Sequence, residues 1–180
     1  PVQPSVCNNA VWAIGEICVK CQGNPALLEP IAPDLVQHLI ALLMGNGVDG
    51  RPVILPGLPE NAATAFGRLA KVDPNFLAKD LPRFLLGWCE GMAKIVDPTE
   101  RRDAYQGFIQ TVYANPGAIQ SATLSPADAI TSILFAIVSW HMPEDADSSN
   151  IFNVQFQPFP QAEAELGASI SKLLQDIKLS

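Results

Sequence analysis

The sequence has 180 residues, of which 48% are hydrophobic and 16% are charged, and its formal net charge is −7. This composition excludes a disordered chain and leaves room for one or two compact units with a sizeable buried core. The negative charge argues against nucleic acid as the main partner, because phosphate binding depends on lysine and arginine. It fits either a basic peptide partner or a surplus of carboxylates that only keeps the protein soluble.

Neither a membrane segment nor a cofactor site is expected. No apolar run approaches the roughly 20 residues of a membrane span, and no N-terminal signal region is visible, so the sequence predicts a soluble intracellular protein without a membrane partner. Four cysteines do not suggest a disulfide scaffold. Cys18 and Cys21 have the spacing of half a zinc site, but no second pair follows, so buried reduced thiols are expected and no metal or other cofactor.

Proline, glycine and asparagine divide the first 143 residues into helices, and no strand pattern appears among them. The helices are predicted at about residues 4–22, 30–44, 58–72, 76–95, 97–115 and 125–143. Pro82 lies inside the fourth pattern and should kink or split it. Residues 45–57 contain four glycines and two prolines and are predicted to form a loop.

Corresponding points recur along the chain at Asn9, Asn61 and Asp103, with spacings of about 52 and 42 residues. Each unit contains two helices and a turn, and this is the period of HEAT or armadillo arrays. The fold class is therefore predicted to be all-α, an α-solenoid of HEAT repeats built from antiparallel helix pairs. Residues 1–143 are predicted to form these repeats, as the C-terminal part of a longer solenoid, and residues 144–180 an irregular tail with a terminal capping helix.

A tryptophan lies on the polar side of the first predicted helix. Its apolar stripe is predicted to comprise Val6, Ala10, Ala13, Ile14, Ile17 and Cys21. Trp12 lies roughly 150° from the centre of this stripe, in one column with Asn8 and Glu16. In the third helix, Thr64 is aligned with Trp12 and is also predicted on the polar side. A repeated helix with an exposed aromatic side chain indicates a binding surface, whereas Trp88 is predicted to lie in the core.

Three segments carry a family resemblance. Residues 6–17, 60–69 and 86–89 resemble the last HEAT repeats of the transportin family of karyopherin-β nuclear import receptors. The similarity runs over about residues 4–142, with matching order and helix lengths. It implies that the inner helices bind the N-terminal hydrophobic or basic half of a proline-tyrosine nuclear localisation signal.

The resemblance also implies particular binding residues and partners. Trp12 corresponds to the family's aromatic platform for the signal peptide. Asn8 and Glu16 flank it on the same helix, and Asn61 and Thr64 lie on the next inner helix. The family usually has a larger apolar residue where Thr64 stands. The implied partners are cargo proteins with such signals, the Ran GTPase through repeats that precede this chain, and nucleoporins, in a receptor that shuttles between cytoplasm and nucleus.

Other interpretations stay open at this point. Catalysis is not expected, because the sequence has neither a glycine-rich phosphate loop nor a nucleophile elbow. A structural HEAT scaffold that binds folded protein partners is the alternative function. Under it, Trp12 would pack against a neighbouring helix, and Asn61 would cap its helix or tie adjacent repeats together.

Overall fold

The computed structural model describes residues 4–46, 55–120 and 126–141, together with positions 168, 172, 175 and 176. These ranges contain seven α-helices and no β-strand: α1 (Pro4–Cys21), α2 (Ala32–Leu43), α3 (Leu58–Val72), α4 (Asn75–Ala78), α5 (Leu81–Met92), α6 (Pro98–Ala114) and α7 (Pro126–His141). Short 3-10 turns lie at Pro25–Leu27 and Pro116–Gln120. The all-α prediction is confirmed, and none of the described helices is long and apolar enough to cross a membrane.

Local sequence signals set the helix ends. The pattern predicted around Pro82 is split, since α4 ends at Ala78 and α5 begins at Leu81. Pro82 thus lies in the first turn of α5, where a missing backbone N–H leaves no helix hydrogen bond unmade. Asp97 caps α6, because its carboxylate accepts hydrogen bonds from the backbone N–H groups of Thr99 at 2.8 Å and Glu100 at 2.9 Å.

The helices pack in two layers. Helices α1, α3 and α6 lie side by side with α3 in the middle, and we call them the α1–α3–α6 layer. Helices α2, α5 and α7 form the other layer, with α2 and α5 packed against α3. The repeat points Asn9, Asn61 and Asp103 fall on α1, α3 and α6, so one helix of each repeat lies in the same layer. This is the arrangement of a HEAT-repeat solenoid, as predicted.

Aromatic side chains fill the space between the layers. Phe66 stacks on Phe84 with ring centroids 4.6 Å apart, and Trp88 meets the edge of Phe108 at 5.2 Å. The indole N–H of Trp88 donates to the carbonyl oxygen of Ala63 at 3.1 Å, so the one polar group of this ring is satisfied in the core. The prediction that Trp88 belongs to the core is confirmed.

The apolar stripe predicted for α1 is wrong over most of its length. Val6, Ala10, Ala13 and Ile17 are exposed, whereas Val11, Gly15 and Cys18 are buried. The reason is that, among the described residues, α1 has a neighbour in its layer on one flank only, the flank that faces α3. The apolar side chains at positions 6, 10, 13 and 17 point away from that neighbour.

The loop predicted over residues 45–57 is described only at positions 45–46 and 55–57. The tail from residue 144 lies outside the described residues, apart from four positions that are helical and fall within the predicted terminal helix. Two of them meet α6: the Lys172 ammonium lies 5.9 Å from the centroid of the Tyr113 ring, and the Tyr113 hydroxyl lies 3.3 Å from Oδ2 of Asp176.

Candidate functional site

Four of the five predicted binding residues lie on α1 and α3 in columns with one-turn spacing, which also contain charged residues that were not predicted, and Asn61 lies beside the α3 column. The columns are Asn8, Trp12 and Glu16 on α1; Glu60, Thr64 and Arg68 on α3; and Glu100 and Asp103 on α6. Residues four apart on a helix stack on one face, so the columns run alongside one another. We call Glu16, Arg68 and Asp103 the Arg68 level, and Trp12, Thr64 and Glu100, one turn earlier on each helix, the Trp12 level.

Ion pairs at the Arg68 level join the three helices α1, α3 and α6. Nη1 of Arg68 lies 2.6 Å from Oε1 of Glu16, and Nε of Arg68 lies 3.1 Å from Oδ2 of Asp103. Lys71 also pairs with Asp103. Arg68 is only 6% exposed, and the planar guanidinium suits two carboxylates on opposite sides. The level fixes the register of α1 and α6 against α3.

Trp12 is 50% exposed, as the helical wheel predicts for the polar side of α1. The Glu100 carboxyl on α6 is close enough to the Trp12 side chain for the indole to influence its pKa. Burial raises the pKa of Glu100 above its ordinary 4.5, and nearby Asp97 acts in the same direction. Arg68 and Trp12 oppose that rise. The Trp12 level therefore joins an open aromatic face to a carboxyl that is partly removed from water.

The predicted place of Thr64 on the polar side of α3 is wrong, because Thr64 is only 3% exposed. Helix α3 has α1 on one side and α6 on the other, with α2 and α5 beneath, so it has no broad solvent face. The interaction between Trp12 and Glu100 spans the two outer helices at the level of Thr64. The Thr64 hydroxyl has no hydrogen-bond partner among the described residues.

The two asparagines differ in their surroundings. Nδ2 of Asn8 donates to the carbonyl oxygen of Pro56 at 3.0 Å, so this amide ties α1 to the segment that enters α3. Its Oδ1 is buried and has no partner among the described residues. Asn61 is half-buried in the first turn of α3, where its backbone N–H donates to the carbonyl oxygen of Gly57 at 3.0 Å. Asn8 thus has an architectural role beside any binding role.

Sequence reasoning did not predict Glu60, Arg68, Glu100 or Asp103 as part of this site. A signal for Arg68 was present, because a charged residue directly between the short apolar stretches 65–67 and 69–70 of α3 needs a buried partner. Glu100 had no such signal. Glu100 lies near Trp12 only because α6 packs against α3. This packing is tertiary structure, which the local sequence around Glu100 does not show.

No group of three or more histidine, cysteine or carboxylate side chains that could hold a metal occurs in the described part of the chain. Cys18, Cys21 and Cys89 are buried with free thiols. Burial raises the pKa of Cys18 to about 12, and the neighbouring Cys21 adds to the rise. The Cys18 thiol is therefore a poor nucleophile at neutral pH, because the thiolate is the reactive form.

Comparison with known proteins finds relatives of this chain. Transportin-1 of Oryza sativa subsp. japonica is 34% identical over 139 residues, which are 76% of this chain and 14% of that protein. Transportin-1 of Homo sapiens is 31% identical over 141 residues, or 78% of this chain and 14% of that protein. The chain is homologous to one segment of a transportin. No protein-family model matches it.

A further relative is less similar to this chain. Importin subunit beta-2 of Schizosaccharomyces pombe (strain 972 / ATCC 24843) is 27% identical over 115 residues, which are 64% of this chain. The chain spans about 14% of the length of the transportins that it matches. The transportin similarity and the two layers of helices agree on a HEAT-repeat architecture.

Proposed function

We propose that this chain is part of a nuclear import receptor and that its α1–α3–α6 layer binds the N-terminal hydrophobic or basic half of a proline-tyrosine nuclear localisation signal. Homology to transportins supports the transport role, and the half-exposed indole of Trp12 is the observation that carries the binding role. The net charge of −7 favours a basic ligand. Trp12 supplies the main contact, and Asn61 can hydrogen-bond an extended peptide backbone.

The other candidate residues take more limited roles in this proposal. Glu16 already pairs with Arg68, but its side chain is 39% exposed, so its carboxylate also faces an incoming ligand. The amide nitrogen of Asn8 is engaged by Pro56 and its Oδ1 is buried, so Asn8 serves in this proposal mainly to hold α1 in place. Thr64 is only 3% exposed, so a ligand would contact it only if the side chains around it moved.

The expected interaction free energies predict that this chain alone binds the peptide weakly. A cation over a tryptophan ring contributes about 0.5–2 kcal/mol, and each net hydrogen bond contributes about 1 kcal/mol. After the cost of association, the expected dissociation constant is micromolar or weaker. Tight cargo binding would require a second, linked site in the remainder of a full-length receptor, through effective concentration.

The homology extends the proposal to the whole protein. In such a receptor, the Ran GTPase and nucleoporins would bind to other parts of the solenoid, and the protein would shuttle between cytoplasm and nucleus. The proposal includes no catalytic step and no nucleic-acid ligand. A structural scaffold remains the competing function, favoured by the internal bonds of Asn8 and Glu16.

The test is a titration of the 180-residue chain with a 15-residue peptide that carries the basic N-terminal half of a proline-tyrosine signal. Isothermal titration calorimetry gives the dissociation constant for the wild type, for Trp12→Ala and for Phe135→Ala. Phe135 is 52% exposed on α7 and is a matched control for the loss of an exposed aromatic side chain. We expect Trp12→Ala to weaken binding at least tenfold and Phe135→Ala to leave it unchanged.

Thermal unfolding of the same proteins separates the two functions. The transport proposal expects both variants to melt within a few degrees of the wild type, because half-exposed side chains contribute little to stability. No binding at millimolar peptide, together with a large loss of stability in Trp12→Ala, would instead support the scaffold.

A further inference from the structure

A groove with a cavity volume of about 630 Å³ separates α2 from the short helix α4 and the first turn of α5. It therefore lies on different helices from Trp12, in the opposite layer. Hydrogen bonds join its two walls at one end, where Nη1 of Arg83 donates to Oε1 of Gln37 at 2.9 Å and also pairs with Asp80 at 2.6 Å. The polar groups at this end already have partners, so a ligand would meet the rest of the groove.

The rest of the groove has unpaired charges of opposite sign on its two walls. Glu29, just before α2, and Asp34, in the first turn of α2, form one wall, and Lys79 lies on the other wall between α4 and α5. All three side chains belong to exposed residues, and none of them forms an ion pair within the described ranges. The α2 wall thus offers two free carboxylates, and the α4–α5 wall offers one free ammonium group.

Both walls also present apolar surface. Pro33 is exposed on the α2 wall, and Phe76 is half-buried on the α4 wall. Long charged side chains lay their aliphatic stems on such surface while the charged end group reaches a polar partner. The groove therefore suits lysine, arginine and glutamate side chains, because each can contact a ring of Pro33 or Phe76 and a charge of opposite sign.

The two walls match the alternation of side chains along an extended peptide. In an extended chain, successive side chains point to opposite sides. A peptide that runs along the groove would direct its first and third side chains to the α2 wall and its second to the α4–α5 wall. The complement of two carboxylates on one wall and the Lys79 ammonium on the other is a basic, an acidic and a second basic residue in succession.

We propose that this groove binds an extended segment of a partner protein in which one acidic residue stands between two basic residues. The basic side chains pair with Glu29 and Asp34, and the acidic side chain pairs with Lys79. No such triplet occurs in these 180 residues, so a second copy of them does not supply the ligand. The site goes beyond the peptide binding proposed for Trp12, because it lies in the opposite layer and can be filled at the same time.

The first test compares three acetylated peptide amides by the backbone amide signals of the ¹⁵N-labelled chain, at low ionic strength where surface charges are least screened. Gly-Lys-Glu-Lys-Gly is expected to shift the signals of Asp34 and Lys79 saturably. Gly-Lys-Lys-Glu-Gly, with the same composition in another order, and Gly-Lys-Gln-Lys-Gly, with a higher positive charge, are each expected to bind at least threefold more weakly. Equal binding of the first two peptides, or tightest binding of the third, would show attraction by net charge alone and overturn the proposal.

The second test removes one charge from each wall. Lys79→Gln is expected to abolish the preference for glutamate over glutamine in the middle of the peptide, whereas Lys94→Gln, at an exposed position after α5, is expected to preserve it. Asp34→Asn is expected to weaken binding of the Lys-Glu-Lys peptide at least threefold. Glu90→Gln removes the same charge from an exposed position on α5 outside the groove and is expected to change the dissociation constant less than twofold. Equal effects of the groove variants and their controls would overturn the site.

Trp12→Ala separates the groove from the proposed function. This variant is expected to bind the Lys-Glu-Lys peptide as the wild type does, since Trp12 lies on α1 and does not line the groove. If Trp12→Ala loses the Lys-Glu-Lys peptide, that peptide binds at the α1–α3–α6 layer and the groove proposal is wrong. If the signal peptide fails to bind while the Lys-Glu-Lys peptide still shifts Asp34 and Lys79, the groove proposal stands and the signal-binding function is wrong.

Discussion

Gly107 meets Gly67 backbone to backbone where α6 crosses α3. A methyl group added to Gly107 would stand 2.6 Å from the Cα atom of Gly67, and one added to Gly67 would stand 2.6 Å from the carbonyl oxygen of Asp103. No real Cβ atom tolerates such distances from backbone. The closeness of α3 and α6 therefore depends on two residues without side chains.

Gly107→Ala should destabilise the chain by about 3 kcal/mol, since the clash is with backbone that no rotamer change relieves. The free energy of unfolding in urea measures the effect. Gly117→Ala is the matched control, because its added methyl group would lie 3.7 Å from its nearest neighbour, Oδ1 of Asn115. The control should change stability by less than about 0.5 kcal/mol. A similar loss in both variants would contradict the close crossing.

Arg68→Ala should cost about 2–3 kcal/mol of stability. It leaves Asp103 largely buried with Lys71 as its remaining partner, while Glu16 regains water, so the cost falls below the range of about 3–5 kcal/mol for a fully buried pair. Arg83→Ala breaks the exposed pair with Asp80 and should cost no more than about 1 kcal/mol. Urea denaturation of the two variants measures the loss of unfolding free energy in each. Equal losses in the two variants would argue against a structural role for the Arg68 level.

Thr64→Val should leave stability unchanged or raise it by up to about 1 kcal/mol, because it removes a buried hydroxyl that has no partner and keeps the shape of the side chain. The same substitution at Thr111 removes a hydroxyl that donates to the Gly107 carbonyl oxygen at 2.8 Å, and it should cost about 1 kcal/mol. Thermal unfolding of the pair measures the difference. A larger loss at position 64 than at position 111 would show that the Thr64 hydroxyl is satisfied.

Glu100 should titrate above its ordinary pKa of 4.5, because burial raises the pKa of its carboxyl. An acid whose pKa is higher in the folded state than in the unfolded state destabilises the fold when ionised. Glu100→Gln should therefore be slightly more stable than the wild type at pH 7, and the difference should vanish as the pH falls through the folded-state pKa to below 4.5. Urea denaturation at both pH values measures this stability difference. If the stability advantage of Glu100→Gln increased at acidic pH, the pKa of Glu100 would be lowered in the folded state and the prediction would be wrong.

Much of the fold could be predicted from local signals. Both ends of α3, the split before Pro82 and the start of α6 after Asp97 depend on residues within one turn, and the structure has them as predicted. The repeat spacing and the family resemblance predicted the HEAT solenoid. Burial was less predictable, because the exposed stripe of Val6 and Ile17 and the buried Thr64 depend on how many neighbours a helix has.

The candidate site was likewise predictable only where it depends on a single helix. The exposure of Trp12 follows from its angle on one helix, and a helical wheel shows it. Its interaction with Glu100 joins residues far apart in sequence on helices that are not direct neighbours in the layer. The bonds that engage Asn8 and Glu16 also come from other helices or loops. A sequence pattern within one helix cannot contain such information.

The crossing of Gly67 and Gly107 also controls how closely α3 and α6 approach each other. Backbone meets backbone in the α1–α3–α6 layer, whereas α2 and α5 meet through side chains such as Leu43 near Gly87 and Gln37 bonded to Arg83. A longer side chain at either glycine would push α6 away from α3 and would pull Asp103 away from Arg68, so two missing methyl groups hold together an ion pair that neither glycine touches.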